Sequence, residues 1–142
     1  MTTFTLDTLP KEMAGLVSEL KKRKINVVLF DGDLGRGKTT SIQEIARSLG
    51  VTESVLSPTF VLMKQYQTSD EYFTTLIHID AYRITDGSLF RLLGLDAVIA
   101  DPHTLVCVEW PNLIPELGHY PHALVHLEYE NETTRTIDVS FT

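Results

Sequence analysis

Apolar residues near the start of the chain recur with the period of a helix that buries one face. They are Met13, Leu16, Val17 and Leu20. The pattern predicts a helix over Pro10 to Lys24, and the basic run that closes it is favourable at a helix C-terminus. A nearly continuous apolar run then predicts a strand over Ile25 to Phe30, buried on both faces of a parallel sheet and closed by Asp31-Gly32. A second helix is predicted over Lys38 to Leu49, where Gly50 stops it.

Beyond Gly50 the pattern becomes rich in extended segments. They are predicted at Phe60 to Gln67, Thr74 to Asp80, Leu105 to Glu109, Ala123 to Glu130 and Thr134 to Phe141. A short helix is predicted over Ser88 to Leu93, and the last two strands form a hairpin around Asn131-Glu132-Thr133. We therefore expect an α/β fold: a mixed, partly parallel sheet flanked by helices, with a C-terminal antiparallel hairpin. No repeat or linker divides the sequence, so residues 1–142 are expected to form a single domain.

Charge and cysteine content narrow the class of protein. The 142 residues include 12 Lys and Arg against 19 Asp and Glu, a net charge of −7, which argues against a broad basic face for duplex nucleic acid. Cys107 is the one cysteine, so the chain alone forms no disulfide, as suits a reducing cytosol. Its spacing to the histidines predicts no structural zinc. No apolar stretch approaches the roughly 20 residues that cross a bilayer, so we expect a cytoplasmic protein without membrane contact.

The segment from Gly32 to Thr39 matches the phosphate-binding pattern G-x-x-x-x-G-K-[ST], directly between the predicted strand and the second predicted helix. Glycines let the backbone curl so that successive N–H groups point at phosphate oxygens, and the helix N-terminus adds its positive dipole end. Lys38 supplies charge for the β- and γ-phosphates, and the Thr39 hydroxyl is placed to bind Mg²⁺. The expected nucleotide-binding residues here are Asp33, Leu34, Gly35, Arg36, Gly37, Lys38, Thr39 and Thr40. The pattern predicts a P-loop NTPase without separating ATP from GTP.

Two acidic residues end predicted strands and are candidates to hold Mg²⁺. They are Asp80 and Glu109, and the carboxyl ends of parallel strands face the ligand crevice. Spacing alone does not decide between them. The hydroxyls of Ser57 to Phe60 are able to reach a phosphate or a metal-bound water, or the segment is a plain turn. His78, in an apolar strand, is typical of a core histidine or one that supports a ligand residue, and Trp110 alone is typical of packing.

Four motifs, in this order and spacing, carry a resemblance to a known family. They are Gly32-Asp33-Leu34-Gly35-Arg36-Gly37-Lys38-Thr39-Thr40, Ser57-Pro58-Thr59-Phe60, His78-Ile79-Asp80-Ala81-Tyr82-Arg83 and Val108-Glu109-Trp110-Pro111. Together they resemble the TsaE (formerly YjeE) family. Gly94-Leu95-Asp96 and Arg135 are also similar to later features of that family.

The resemblance implies a small bacterial ATPase of tRNA threonylcarbamoyladenosine biosynthesis. Members act with TsaB and TsaD, which transfer a threonylcarbamoyl group to the adenosine beside the anticodon, so tRNA is an indirect partner. ATP and Mg²⁺ are the implied cofactors. Lys38 and Thr39 would contact the phosphates and Mg²⁺, and the resemblance favours Glu109 as the metal acid, with Asp80 as a catalytic or switch carboxylate.

The resemblance also gives Thr59 a switch role near the γ-phosphate and raises Trp110 from a packing residue to a functional one. Two departures from the family stand out. Arg36 occupies a position where Ala is usual, which places a guanidinium on the phosphate loop. Ser88 and Leu89 stand where Glu is common, which weakens any transfer of a partner interface to this segment.

Two other functions use the same phosphate loop. A small-molecule kinase needs an acceptor pocket and normally a basic lid, and no Lys- or Arg-rich insertion follows the core. A nucleotide-sensing adaptor binds ATP without appreciable turnover. A gated ATPase, slow in isolation, is the function favoured by the sequence.

Overall fold

The fold is a single mixed sheet with helices on both faces. A computed structural model describes residues 2–5, 7–32, 37–53, 55, 63–80, 91, 93–109, 114–129, 131 and 134–142. In chain order the elements are β1 (Thr2–Thr5), α1 (Leu9–Arg23), β2 (Val27–Gly32), α2 (Gly37–Ser48), β3 (Met63–Gln67), β4 (Thr75–Asp80), α3 (Leu95–Ala100), β5 (Thr104–Glu109), a 3₁₀ turn (Pro115–His119), β6 (Ala123–Tyr129) and β7 (Thr134–Phe141).

The described strands form one sheet in the order β1-β7-β6-β2-β5-β4-β3. The central strand β2 lies between β5 and β6 and is parallel to both, and β4 is parallel to β5. The outer pairs β3 with β4, β6 with β7 and β1 with β7 are antiparallel. The carboxyl ends of β2, β5 and β4 therefore lie together at one edge of the sheet, where ligands bind in folds of this kind.

Alternating side chains of β2 belong to two separate cores. Val28 and Phe30 pack with the buried faces of α1 and α2. Val27 and Leu29 pack on the other side with residues of α3 and the 3₁₀ turn. Since a strand buried on both faces has no polar alternation, this arrangement explains the continuous apolar run in the sequence.

The predicted α/β architecture and the terminal hairpin are confirmed, with shifts at element ends. The expected start of β2 at Ile25 is wrong, because the backbone N–H of Ile25 donates to the Leu20 carbonyl and closes the end of α1. The strand begins at Val27, after Asn26, whose side-chain nitrogen lies 2.9–3.1 Å from the carbonyl oxygens of Ile99, Asp101 and Thr104. The expected end of β2 at Phe30 is also wrong, since the strand continues through Gly32 by pairing with β6.

Several elements had no counterpart in the sequence pattern. β1 is four residues long and owes its strand character to pairing with β7, and α3 and the 3₁₀ turn are one or two turns long. Four of the six residues of the helix predicted at Ser88 to Leu93 lie outside the described residues, as do the first three residues of the strand predicted from Phe60. None of the described helices has the length and apolar character needed to cross a bilayer.

Candidate functional site

Strand β2 and helix α2 hold the two ends of the phosphate-binding motif. β2 ends at Gly32 and α2 begins at Gly37, so residues 33–36, which are outside the described part, connect a strand end to a helix start. Lys38, in the first turn of α2, is 2% exposed, and its Nζ donates to the Gly32 carbonyl oxygen over 3.3 Å. A buried ammonium beside a helix N-terminus is suited to anionic phosphate oxygens.

Gly32 is required where β2 passes β6. Its φ of +127° is a conformation that side-chain-bearing residues rarely adopt, and a Cβ there would overlap the carbonyl oxygen of Leu127. The backbone of β6 therefore supports the first residue of the motif.

Helix α2 and strand β5 bring the two predicted metal-binding side chains together. The Thr39 Oγ1 lies 3.0 Å from each carboxylate oxygen of Glu109, so the hydroxyl donates to the carboxylate. Glu109 is 3% exposed. Because β5 is the direct neighbour of β2, the residue that ends β5 falls beside the first turn of α2.

Asp80 ends β4 and is paired in register with Glu109, which ends β5. Alternation along each strand puts both residues on the side of the sheet that α1 and α2 cover, since Leu76 and Leu105 belong to that core. The two acids named from the sequence therefore lie at the same edge and on the same face as the start of α2.

His78 joins the site from inside β4. Its ring is fully buried, and its Nε2 lies 2.6 Å from Oε2 of Glu109. A carboxylate oxygen accepts, so Nε2 carries the hydrogen in this bond. The opposite ring atom, Nδ1, has no hydrogen-bond partner and is the one buried side-chain polar atom in that condition among the described residues.

Cys107 pairs in register with His78 but stays a core residue. Burial raises the pKa of its thiol, and the nearby Glu109 carboxylate raises it further. A buried thiol held in its protonated form is not a nucleophile.

Oxygen atoms from Thr39 and Glu109 are of the kind that Mg²⁺ prefers, and magnesium sites in nucleotide-binding proteins use one or two such residues plus phosphate oxygens and waters. The described residues hold no group of three or more His, Cys, Asp or Glu side chains that could bind a metal ion. The donor set therefore fits Mg²⁺ held jointly with a nucleotide.

Part of the predicted site lies outside the described residues, namely Asp33, Leu34, Gly35, Arg36, Thr59 and Trp110. The described members are Gly37, Lys38, Thr39, Thr40, Asp80 and Glu109, and all of them lie at the first turn of α2 or at the ends of β4 and β5.

A second polar cluster, unforeseen from the sequence, lies beside the motif at the β2–β6 pair. His126 Nδ1 lies 2.6 Å from Oδ1 of Asp31, and its Nε2 lies 3.0 Å from Oε1 of Glu128. Hydrogen bonds to Glu128 and then Asp31 raise the pKa of His126, and partial burial opposes them. The spacing of His126 and Glu128 in the sequence is that of two residues on one face of a strand. The contact of His126 with Asp31 could not be predicted in the same way, because it depends on β6 lying beside β2.

Comparisons with known proteins agree with this geometry. The family model described as "Threonylcarbamoyl adenosine biosynthesis protein TsaE" matches residues 8–137. A protein of Rickettsia felis named tRNA threonylcarbamoyladenosine biosynthesis protein TsaE is 32% identical over 130 residues, 91% of this chain and 72% of that protein. Its namesake in Bacillus subtilis is 41% identical over 91 residues, 64% of this chain and 54% of that protein.

A solved structure is similar as well. The crystal structure of Bacillus subtilis YdiB superposes with a TM-score of 0.60 at 28% identity, covering 90% of this chain and 77% of that one. With a family model that spans most of its length and relatives above 30% identity, this chain belongs to the TsaE family.

Proposed function

We propose that this protein binds and hydrolyses ATP with Mg²⁺ in support of threonylcarbamoyl transfer to the tRNA adenosine next to the anticodon. In this role it acts with the TsaB and TsaD proteins in the cytoplasm and meets tRNA only through them. Membership of a family named for threonylcarbamoyladenosine biosynthesis supports the pathway. The phosphate-binding motif supports the chemistry.

One observation carries the proposal: the Thr39 hydroxyl touches the Glu109 carboxylate at the start of the motif's helix. A hydroxyl has one hydrogen and two lone pairs. Donating the hydrogen to Glu109 leaves the lone pairs of Thr39 free to face a cation. In P-loop NTPases this pairing of a hydroxyl with a strand-end acid holds Mg²⁺.

In phosphoryl transfer to water, each of these residues then has a separate role. Lys38, with the backbone N–H groups of the motif, binds and orients the β- and γ-phosphates. Thr39 and Glu109 hold Mg²⁺, which when bound neutralises charge on the phosphate oxygens. The remaining motif residues from Asp33 to Thr40 contact the phosphates mainly through the backbone.

Asp80, in register with Glu109, is assigned to orienting the attacking water or responding to the γ-phosphate. Thr59 and Trp110 are assigned nucleotide contacts on the resemblance alone. Because phosphoryl transfer is driven by positioning and charge, a site completed by a partner turns over slowly without it. We therefore expect low activity in isolation and a strong rise with TsaB and TsaD.

The test is Mg²⁺-dependent ATP hydrolysis by the purified protein, alone and with TsaB and TsaD. Lys38→Ala is expected to abolish turnover, because it removes the buried ammonium at the motif. Lys22→Ala, which removes an exposed lysine on α1, is the matched control and is expected to behave as wild type.

Other outcomes would favour the competing functions. Phosphate transfer to a small acceptor instead of water indicates a kinase. Tight ATP binding without turnover, even with both partners, indicates an adaptor. Full activity in Lys38→Ala contradicts the assignment of this loop.

A further inference from the structure

Glu109 receives a second hydrogen-bond donor that the proposed chemistry does not use. The Nε2 of His78 lies 2.6 Å from Oε2 of Glu109, while the Thr39 hydroxyl lies 3.0 Å from both carboxylate oxygens. His78 is 0% exposed and Glu109 is 3% exposed. The carboxylate is therefore held between a helix and a neighbouring strand.

Burying this imidazole leaves a polar atom unsatisfied. Nδ1 of His78 has no partner within the described residues, and an unpaired buried polar atom costs about 1–3 kcal/mol. An apolar residue at the same place in β4 would avoid that cost, as Leu76 does two residues earlier on the same face. A role that requires the other ring nitrogen explains why a histidine stands here.

We propose that His78 is a positioning residue that fixes the Glu109 carboxylate for the divalent cation. The proposal rests on the proposed function, since it names what aims the metal-binding acid. A carboxylate on a flexible glutamate side chain turns about its last bonds. A donor on Oε2 from β4 restricts that rotation and keeps the carboxylate facing Thr39, on the side where the motif begins.

The contact between His78 and Glu109 follows from the pairing of β4 with β5. β4 and β5 are parallel neighbours in which His78 is paired with Cys107, two residues before Glu109. Both side chains point to the face covered by α1 and α2, so the ring reaches along the strand direction to the carboxylate. Partners of metal-binding side chains of this kind typically change metal affinity about 10- to 100-fold when removed.

The experiment compares two amides at position 78. The side-chain nitrogen of Gln falls near the Nε2 position of a histidine, and that of Asn falls near the Nδ1 position. His78→Gln is therefore expected to keep the donor to Glu109, and His78→Asn is expected to lose it. His122→Asn is the matched control, because His122 is also buried but bonds through Nδ1 to the Tyr120 carbonyl, at the opposite end of the sheet.

The measurement is calorimetric binding of a non-hydrolysable ATP analogue across a range of Mg²⁺ concentrations, and again with the metal chelated. His78→Asn is expected to raise the half-saturating Mg²⁺ concentration about tenfold or more. The metal-free nucleotide affinity is expected to stay within about twofold of wild type, and His78→Gln and His122→Asn to remain near wild type. A purely structural role would lower both affinities together in His78→Asn and would not be rescued by Gln.

A measurement on the wild-type protein covers the case in which His78→Asn fails to fold. Long-range ¹H–¹⁵N correlation of the histidine rings reports which nitrogens carry a hydrogen. A hydrogen on Nε2 of His78 supports the inference, and a bare Nε2 overturns it. If folded His78→Asn protein needs no more Mg²⁺ than wild type, the positioning role of His78 is wrong but the proposed function stands. If the wild-type protein binds no nucleotide, the proposed function is wrong as well.

Discussion

His126 contacts a carboxylate through each of its ring nitrogens, Asp31 through Nδ1 and Glu128 through Nε2. Only the protonated imidazolium donates from both nitrogens at once. Asp138 lies opposite His126 in the register of β6 with β7 and adds a third acid nearby. This cluster makes the stability of the β2–β6 pair depend on pH.

The sign of that dependence follows from the direction of the pKa shift. Folding raises the pKa of His126 above its ordinary 6.5, chiefly through the bond to Glu128. The stabilising contribution is therefore full below about pH 6.5 and is lost as the pH rises through the folded-state pKa. The ring is 40% exposed, so solvent and salt screen the effect.

We predict that His126→Gln loses more stability relative to wild type at pH 5.5 than at pH 9. Urea unfolding of both proteins at the two pH values measures the difference, and repeating the series in 1 M salt should shrink it. A difference between the two proteins that does not change with pH would contradict this account.

The choice between the two candidate metal-binding acids, Asp80 and Glu109, shows how much of the site can be predicted from the sequence. The motif and its flanking strand and helix were readable from local pattern, because glycine spacing and hydrophobic period are local properties. Spacing did not say whether Asp80 or Glu109 meets Thr39, because that depends on β5, rather than β4, lying beside β2. The contact of His78 with Glu109 depends on the same strand order.

At the scale of elements, the pairing of β2 with β6 brings the first residue of the phosphate-binding motif into contact with the terminal hairpin. Gly32 ends β2 with a positive φ, and the Leu127 carbonyl of β6 occupies the space that a side chain would need. The hairpin contributes none of the predicted site residues, yet it fixes where the motif begins.

Gly32→Ala is therefore expected to lower the free energy of unfolding by more than about 1 kcal/mol and to weaken nucleotide binding. The matched control is Gly15→Ala, because a Cβ at Gly15 meets nothing within 4 Å and the position lies inside α1. That control should gain about 0.5–1 kcal/mol from helix propensity. Thermal unfolding and nucleotide titration check both, and equal effects of the two substitutions would argue against the clash.

Elements with a strong internal pattern were predictable, and elements defined by a partner were not. α1 has five buried apolar residues at helical spacing, and β5 is buried at all six positions. β1 has no such pattern and is a strand because its backbone pairs with that of β7. Likewise Asp31 and Gly32 read as a turn but are strand residues because β6 pairs with them.

At the scale of the whole molecule, Cys107 reports on opening of the central sheet. It is the one cysteine of the sequence, it is fully buried in β5, and burial raises the pKa of its thiol. A thiol reagent therefore reacts with it only when the sheet opens.

We predict slow labelling of Cys107 in the native protein and a further slowing when nucleotide and Mg²⁺ bind. If opening releases the ligand, an ATP analogue at 100 times its dissociation constant slows labelling about 100-fold, equivalent to about 2.7 kcal/mol. Mass spectrometry of timed alkylation samples measures both rates. Labelling at the rate of the urea-unfolded protein would contradict the burial of this residue.

The position of β2 between β5 and β6 also affects how the protein is made. Residues 27–32 leave the ribosome well before residues 104–109 and 123–129, with which they pair on either side. Until then the chain carries a strand with four consecutive apolar residues and two unpaired edges, the kind of segment that is prone to aggregation or is bound by chaperones. Gly32, the first residue of the motif, gains its pairing with Leu127 only when β6 has been made, so we expect newly synthesised protein to bind nucleotide only late in its own translation.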